Sequence, residues 1–188
     1  MKVLVGLGNP GPEHRMNRHN LGFWAVDIWV DANREQFQYK KEFEAEVAKF
    51  QYQGVDVLAM KPQTYYNRVG ESVQKVCSFF KVKNEDVIAI HDEIDLPVGT
   101  FRIKKGGGSA GNNGIRSMMK HGDNFWRIRL GIGRPPHPKM DVASFVLGNL
   151  NQEEQNLWSD ASESLGEAID LCVVGEELKA MQEFNRKN

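Results

Sequence analysis

A carboxylate that orients an imidazole and balances its charge makes a general base near neutral pH. In this chain of 188 residues, His19 and Asp92 are candidates to form one. His19 lies in the polar segment Asn17-Arg18-His19-Asn20, where an isolated histidine is more often a surface residue. Asp92 follows the apolar run Ile88-Ala89-Ile90-His91, and the carboxyl end of a buried strand is where open α/β sheets bind their ligands. Asp92-Glu93-Ile94-Asp95 also reads as a simple turn or as a carboxylate site for Mg²⁺, although no His or Cys ligand spacing accompanies it. A base of this kind suits ester hydrolysis, which further needs a donor for the carbonyl oxygen as it becomes an oxyanion. Side-chain amides at Asn9, Asn67 and Asn113 are candidates, and the sequence does not choose among them. Asn9 could instead accept the N–H of a peptide bond and so favour a blocked substrate over one with a charged α-amine.

Two glycine-rich stretches bear on the alternatives. Gly6-Leu7-Gly8-Asn9-Pro10-Gly11 matches the spacing of a dinucleotide-binding turn after a strand. It lacks the helix that must start at the glycines, because Pro12–Asn20 is polar and aperiodic, and Asp27 falls within a helical pattern instead of ending a second strand. A tight turn that projects Asn9 into a cleft is the simpler reading. Gly106–Gly114 has five glycines in nine residues and lacks the Gly-Lys-Ser/Thr ending of a phosphate-binding P-loop. It is either a mobile lid or a backbone that a ligand approaches closely. Tyr65 and Tyr66 precede Asn67, where an aromatic ring can stack on an unpaired base or form the edge of a core.

The net charge of −1 hides an uneven layout. Residues 98–140 hold nine basic groups, Arg102, Lys104, Arg127 and Arg129 among them, against Asp123 alone. The flanking parts carry −2 and −7. A +8 segment favours an anionic partner such as nucleic acid, or else is a solvated face balanced by the acidic C-terminal part. Cys77 and Cys172 fall among apolar residues and read as core filler. No apolar run approaches the ~20 residues of a membrane span and no signal peptide is recognisable, so a cytoplasmic protein is expected.

The elements that must hold these residues alternate along the chain. Lys2–Leu7 reads as a buried strand, and Leu21, Trp24, Ala25, Ile28 and Trp29 recur as a helix with Asn20 available as N-cap. Alternation on both sides of Gln53-Gly54 predicts a hairpin, and Val69 to Phe80 a second amphipathic helix. Strands follow at Val87–Ile90, Thr100–Lys105 and Phe125–Ile132. Asn151 with Glu154 starts a final helix whose expected inner face is Leu157, Ala161, Leu165, Ala168 and Cys172. The pattern predicts one compact α/β domain over residues 1–188, with a twisted mixed β-sheet flanked by helices.

The ordered motifs, Gly6 to Gly11, Arg18-His19-Asn20, Pro62-x-Thr64 to Asn67, His91-Asp92-Glu93-Ile94-Asp95-Leu96-Pro97, Gly106–Gly114 and Arg127 to Pro135, together resemble the bacterial peptidyl-tRNA hydrolase family over the full chain. The resemblance implies a compact α/β monomer, free of metal and cofactor, that cleaves the ester between a stalled peptide and the terminal ribose of tRNA and so recycles the tRNA. It implies His19 as general base, Asp92 as its orienter, and Asn9, Asn67 and Asn113 as substrate-positioning amides. Tyr65 and position 14 are implied beside the tRNA end, with Arg102, Lys104 and Arg129 on tRNA phosphate. Three positions depart from the family pattern: His14 stands where Tyr is common, Tyr66 where Met is common, and Asn112 where His is common. The competing reading is a non-catalytic RNA-binding protein of the same fold, against which the presence of both His19 and Asp92 counts.

Overall fold

The first strand is apolar on both faces because it sits in the middle of the sheet. The computed structural model describes residues 1–185 and places β1 (Lys2–Gly6) between two parallel neighbours, β4 (Val55–Pro62) and β5 (Val87–Glu93). The hairpin partner β3 (Ala45–Tyr52) runs antiparallel to β4, and the short β2 (Gln38–Lys40) closes that edge. Gln53 and Gly54 both take positive φ, 48° and 80°, the backbone that a two-residue hairpin turn requires. On the other side β7 (Trp126–Gly131) is parallel to β5 and pairs antiparallel with the edge strand β6 (Phe101–Lys105). The resulting order is β2-β3-β4-β1-β5-β7-β6, a mixed seven-stranded sheet.

Side chains alternate across this sheet and build a core on each face. Leu4, Ile88, Ile90 and Ile128 meet α1 (Leu21–Ala32), α5 (Gln152–Val173) and α6 (Glu177–Phe184). Val3, Val5, Val87 and Ala89 meet α2 (Val69–Phe80) and α3 (Asn113–Met119). A short α4 (Val142–Val146) precedes α5. Among the described residues no helix is long and apolar enough to cross a membrane.

Glycine sets the distance of α1 from the sheet. A Cβ on Gly22 would stand 2.3 Å from the Ile90 carbonyl oxygen, and one on Gly6 would stand 2.4 Å from the Gly22 carbonyl oxygen. Backbone thus lies directly on backbone, which only residues without a Cβ allow. The turn that carries His19 is thereby held over the carboxyl ends of β1 and β5. Arg18 secures it from the other side, with Nε and Nη2 donating to the two Glu154 oxygens at 3.0 and 2.8 Å. Glu154 also completes the capping box of α5 with Asn151, as the sequence pattern predicts.

Three expectations need correction. Asn20 flanks α1 but its side chain caps nothing, because its amide is spent on the backbone of Asn9. Leu165, Ala168 and Cys172 line the inner face of α5 as expected, but Trp158, whose Nε1 donates to the Gly131 carbonyl at 3.1 Å, takes the place expected of Leu157, which is 41% exposed. The strand expected to end at Ile90 continues to Glu93, so Asp92 is a strand residue.

Candidate active site

The carboxyl ends of the parallel strands β1, β4 and β5 bring the site together. His19 sits in a 3-10 turn, Arg18–Asn20, and its Nδ1 lies 3.0 and 2.9 Å from the two Asp92 oxygens. A carboxylate only accepts, so Nδ1 carries the proton and Nε2 keeps its lone pair. Asp92 is buried. Burial alone would raise its carboxyl, but the charge of His19, then the hydrogen bonds from His19 and Tyr66, outweigh it and hold Asp92 below its ordinary 3.8.

Tyr66 is the residue that sequence reasoning undervalued. Tyr65, at φ 67° and 56% exposed, turns the chain so that Tyr66 is buried. The Tyr66 ring stacks on His19 with centroids 3.4 Å apart and planes 12° from parallel. Its hydroxyl donates to Asp92 Oδ1 at 2.6 Å and accepts from Asn112 Nδ2 at 2.9 Å. Space for the ring exists because position 114 is glycine: a Cβ there would lie 2.6 Å from it. Asn112 also caps α3, its Oδ1 accepting from Ile115 N at 2.9 Å.

Asn9 is fixed on both sides. Asn20 Oδ1 accepts from its backbone N–H, and Asn20 Nδ2 donates to its carbonyl, each at 2.9 Å. The Asn9 side-chain oxygen accepts the Tyr66 backbone N–H at 2.6 Å. What remains to offer is Nδ2, without a partner among the described residues, so of the two roles the sequence left open for Asn9 the geometry favours the donor and not the acceptor for a peptide N–H. Asn67 is exposed and Asn113 is exposed at the start of α3, its Oδ1 3.4 Å from Arg116 Nη1. His14 Nδ1 lies 2.7 Å from Asn17 Oδ1, and Asn17 in turn donates to Asn149. A groove of about 1500 Å³ is bordered by Asn9, Phe23, Lys61 and Trp158; neither His19 nor Asp92 lines it.

The basic segment resolves into buried and accessible groups. In the antiparallel register Arg102 faces Arg129 and Lys104 faces Arg127, so all four share one side of the β6–β7 edge. Arg127 is buried: its Nη1 donates to the Gly106 and Gly108 carbonyls at 3.3 and 2.8 Å, and its Nε lies 3.3 Å from His91 Nε2. It anchors the base of the glycine-rich loop, a role the sequence reading did not assign. Arg129 pairs with Glu93 at 3.0 Å, and Arg102 Nη1 donates to the Asn185 carbonyl at 3.3 Å. Burial, then the charges of Arg127 and Arg129, lower the Lys104 ammonium from its ordinary value. Four cations around one carboxylate, Glu93, leave an uncompensated positive field that suits an anion. Among the described residues no three His, Cys, Asp or Glu side chains form a cluster that could hold a metal ion.

The chain's kinship is consistent with this geometry. A profile of the family described as Peptidyl-tRNA hydrolase matches residues 3–188. The peptidyl-tRNA hydrolase of Polynucleobacter necessarius is 39% identical over 193 residues, covering 99% of this chain and 98% of its own. That of Bdellovibrio bacteriovorus is 40% identical over 187 residues, covering 98% and 100%. The crystal structure of peptidyl-tRNA hydrolase from Acinetobacter baumannii superposes with a TM-score of 0.93 at 36% identity, covering 98% of this chain and 94% of the other.

Proposed function

The chain belongs to the peptidyl-tRNA hydrolase family, enzymes of translation whose substrate is peptidyl-tRNA, and from that premise we propose that His19 is the general base of its ester hydrolysis. The single observation that carries this is the hydrogen bond from His19 Nδ1 to both oxygens of buried Asp92, which selects the tautomer with a basic Nε2. Nε2 takes a proton from water as the water oxygen attacks the ester carbonyl, and Asp92 stabilises the imidazolium that forms. The carbonyl oxygen gains negative charge, which Asn9 Nδ2 meets as a preorganised donor. The carbon–oxygen bond to the terminal ribose then breaks. Imidazolium returns the proton to the leaving ribose oxygen, giving free tRNA and a peptide with a new carboxylate.

Asn67, exposed and without a partner among the described residues, is free to accept the N–H of the first peptide bond, with Asn113 beside α3 as a second amide near the substrate. A charged α-amine in place of that N–H would have to shed water beside a single neutral acceptor with no carboxylate to balance it, so unblocked aminoacyl-tRNA is spared. Tyr65 and His14 lie beside the tRNA end, and Arg102, Lys104 and Arg129 hold tRNA phosphate. The groove bordered by Asn9 and Phe23 offers room for the peptide. The protein acts in the cytoplasm as a single copy and needs no cofactor.

The test is hydrolysis of N-acetylaminoacyl-tRNA in EDTA without added nucleotide. Acyl release by the unaltered protein, with free aminoacyl-tRNA largely intact, is expected. His19→Ala should lower turnover by ~10²–10⁴ while tRNA binding persists. Near-normal hydrolysis by His19→Ala would show that another group is the base. Activity lost to EDTA and restored by Mg²⁺ would reassign Asp92, Glu93 and Asp95 to a metal.

A further inference from the structure

We propose that Tyr66 and Asn112 are positioning residues, a hydrogen-bonded relay from Asn112 through Tyr66 to Asp92 that sets how strongly the carboxylate supports His19. The proposal rests on the reading of His19 as the base. The direction of each bond follows from chemistry. An ionised carboxylate only accepts, so the Tyr66 hydroxyl must donate to Asp92; an amide nitrogen only donates, so Asn112 Nδ2 must feed the phenol oxygen. A phenol that accepts one bond becomes a better donor of the next. At 2.6 Å the Tyr66–Asp92 bond is of the short, charge-assisted kind. Burial first, then the charge of Asp92, raise the Tyr66 phenol well above its ordinary 10.0, so it stays protonated as the donor throughout the working range.

Asp92 Oδ1 therefore serves two donors, Tyr66 at 2.6 Å and His19 at 3.0 Å, while Oδ2 serves His19 at 2.9 Å. Each bond that Tyr66 makes draws charge from the carboxylate and weakens its hold on imidazolium. The stacked ring meanwhile confines the imidazole plane within 12° of its own. The relay thus separates two tasks: the ring orients His19, and the hydroxyl moderates Asp92. The other ionisable groups facing this cluster are His91, which acts on Asp92, and Glu93, which acts on Tyr66; Arg18, next to His19, is taken up by Glu154.

Tyr66→Phe deletes the hydroxyl and keeps the stack. Asp92 then gives its full charge to His19, imidazolium is favoured, and the acid limb of turnover against pH should move upward by about half to one pH unit. At neutral pH kcat should fall by about 1.5- to 3-fold, with KM and tRNA affinity unchanged. Asn112→Ser keeps an oxygen to cap α3 but is too short to reach the phenol, and it should move the limb in the same direction by less. Merely loosened packing would lower kcat equally at every pH and leave the limb in place. Superimposable profiles for Tyr66→Phe and the unaltered protein, with His19→Ala inactive, would overturn the relay alone. Substantial activity in His19→Ala would overturn the base assignment instead.

Discussion

His91 is an acid-sensitive joint in the sheet, and its effect on stability can be worked from its hydrogen bonds. The residue is buried in β5, its Nδ1 donating to the Asp92 carbonyl at 2.8 Å and its Nε2 accepting from Arg127 Nε at 3.3 Å. A proton on Nε2 would set N–H against guanidinium N–H in a buried site, so burial and the Arg127 charge push the imidazole down to about 3 from its ordinary 6.5. The unfolded chain takes up this proton near pH 6.5 and the native chain refuses it until about pH 3. Between those values the unfolded state binds more protons, so the stability this neutral histidine provides is complete above pH 6.5 and drains as pH falls. From pH 7 to 4.5 the loss is about 2 to 3 kcal/mol, a large part of a domain's total. Asp92 acts outside this window, since its stabilisation is lost only below its ordinary 3.8. The perturbation is His91→Gln, whose amide oxygen can accept from Arg127 but cannot titrate. Urea unfolding followed by circular dichroism at pH 7, 6, 5 and 4.5 supplies the comparison. His91→Gln should be less stable at pH 7, having lost the bond to the Asp92 carbonyl, yet its midpoint should fall by roughly 1 M less than that of the unaltered protein across the range. Parallel curves for the two proteins would refute a neutral, proton-excluding His91.

Two other perturbations probe the frame around the site. Gly22→Ala places a Cβ 2.3 Å from the Ile90 carbonyl, so α1 must lift from β5; stability should drop by about 1 to 3 kcal/mol in thermal or urea unfolding, and turnover should drop further as His19 moves off Asp92. A variant as stable as the parent would mean that this approach is not tight. For tRNA phosphate binding, Arg102→Ala and Lys104→Ala should each reduce the slope of log affinity against log salt by about one, uniformly across tRNA sequences. Arg129→Ala also frees Glu93 as an uncompensated carboxylate, so it should weaken binding more than the removal of one cation alone. An unchanged slope in the triple variant would leave the basic segment a solvated face.

The elements were legible along the chain because the forces that make them act within a few positions. Alternation about Gln53-Gly54 specifies the hairpin, and Asn151 with Glu154 specifies the start of α5. The two-sided apolar run of β1 places it inside the sheet. His19 and Asp92 could be named because their residue types suit one chemistry, though their meeting spans 73 positions. Tertiary structure alone decided how ambiguous polar residues are spent. Asn20 is a good cap by type and local position, but folding brings Asn9 to both ends of its amide, and two buried bonds take precedence over a cap. Arg127 and Arg129 are alike in sequence, and only the register of β5, β7 and β6 puts the first under the glycine-rich loop and the second against Glu93. Tyr66 looks like core edge until Gly114 opens space for its ring and Asn112 reaches its oxygen from 46 residues away. Hydrophobic periodicity is a property of neighbours in the chain, whereas hydrogen-bond direction and buried charge are properties of neighbours in space, and the chemistry of this site depends on the second kind.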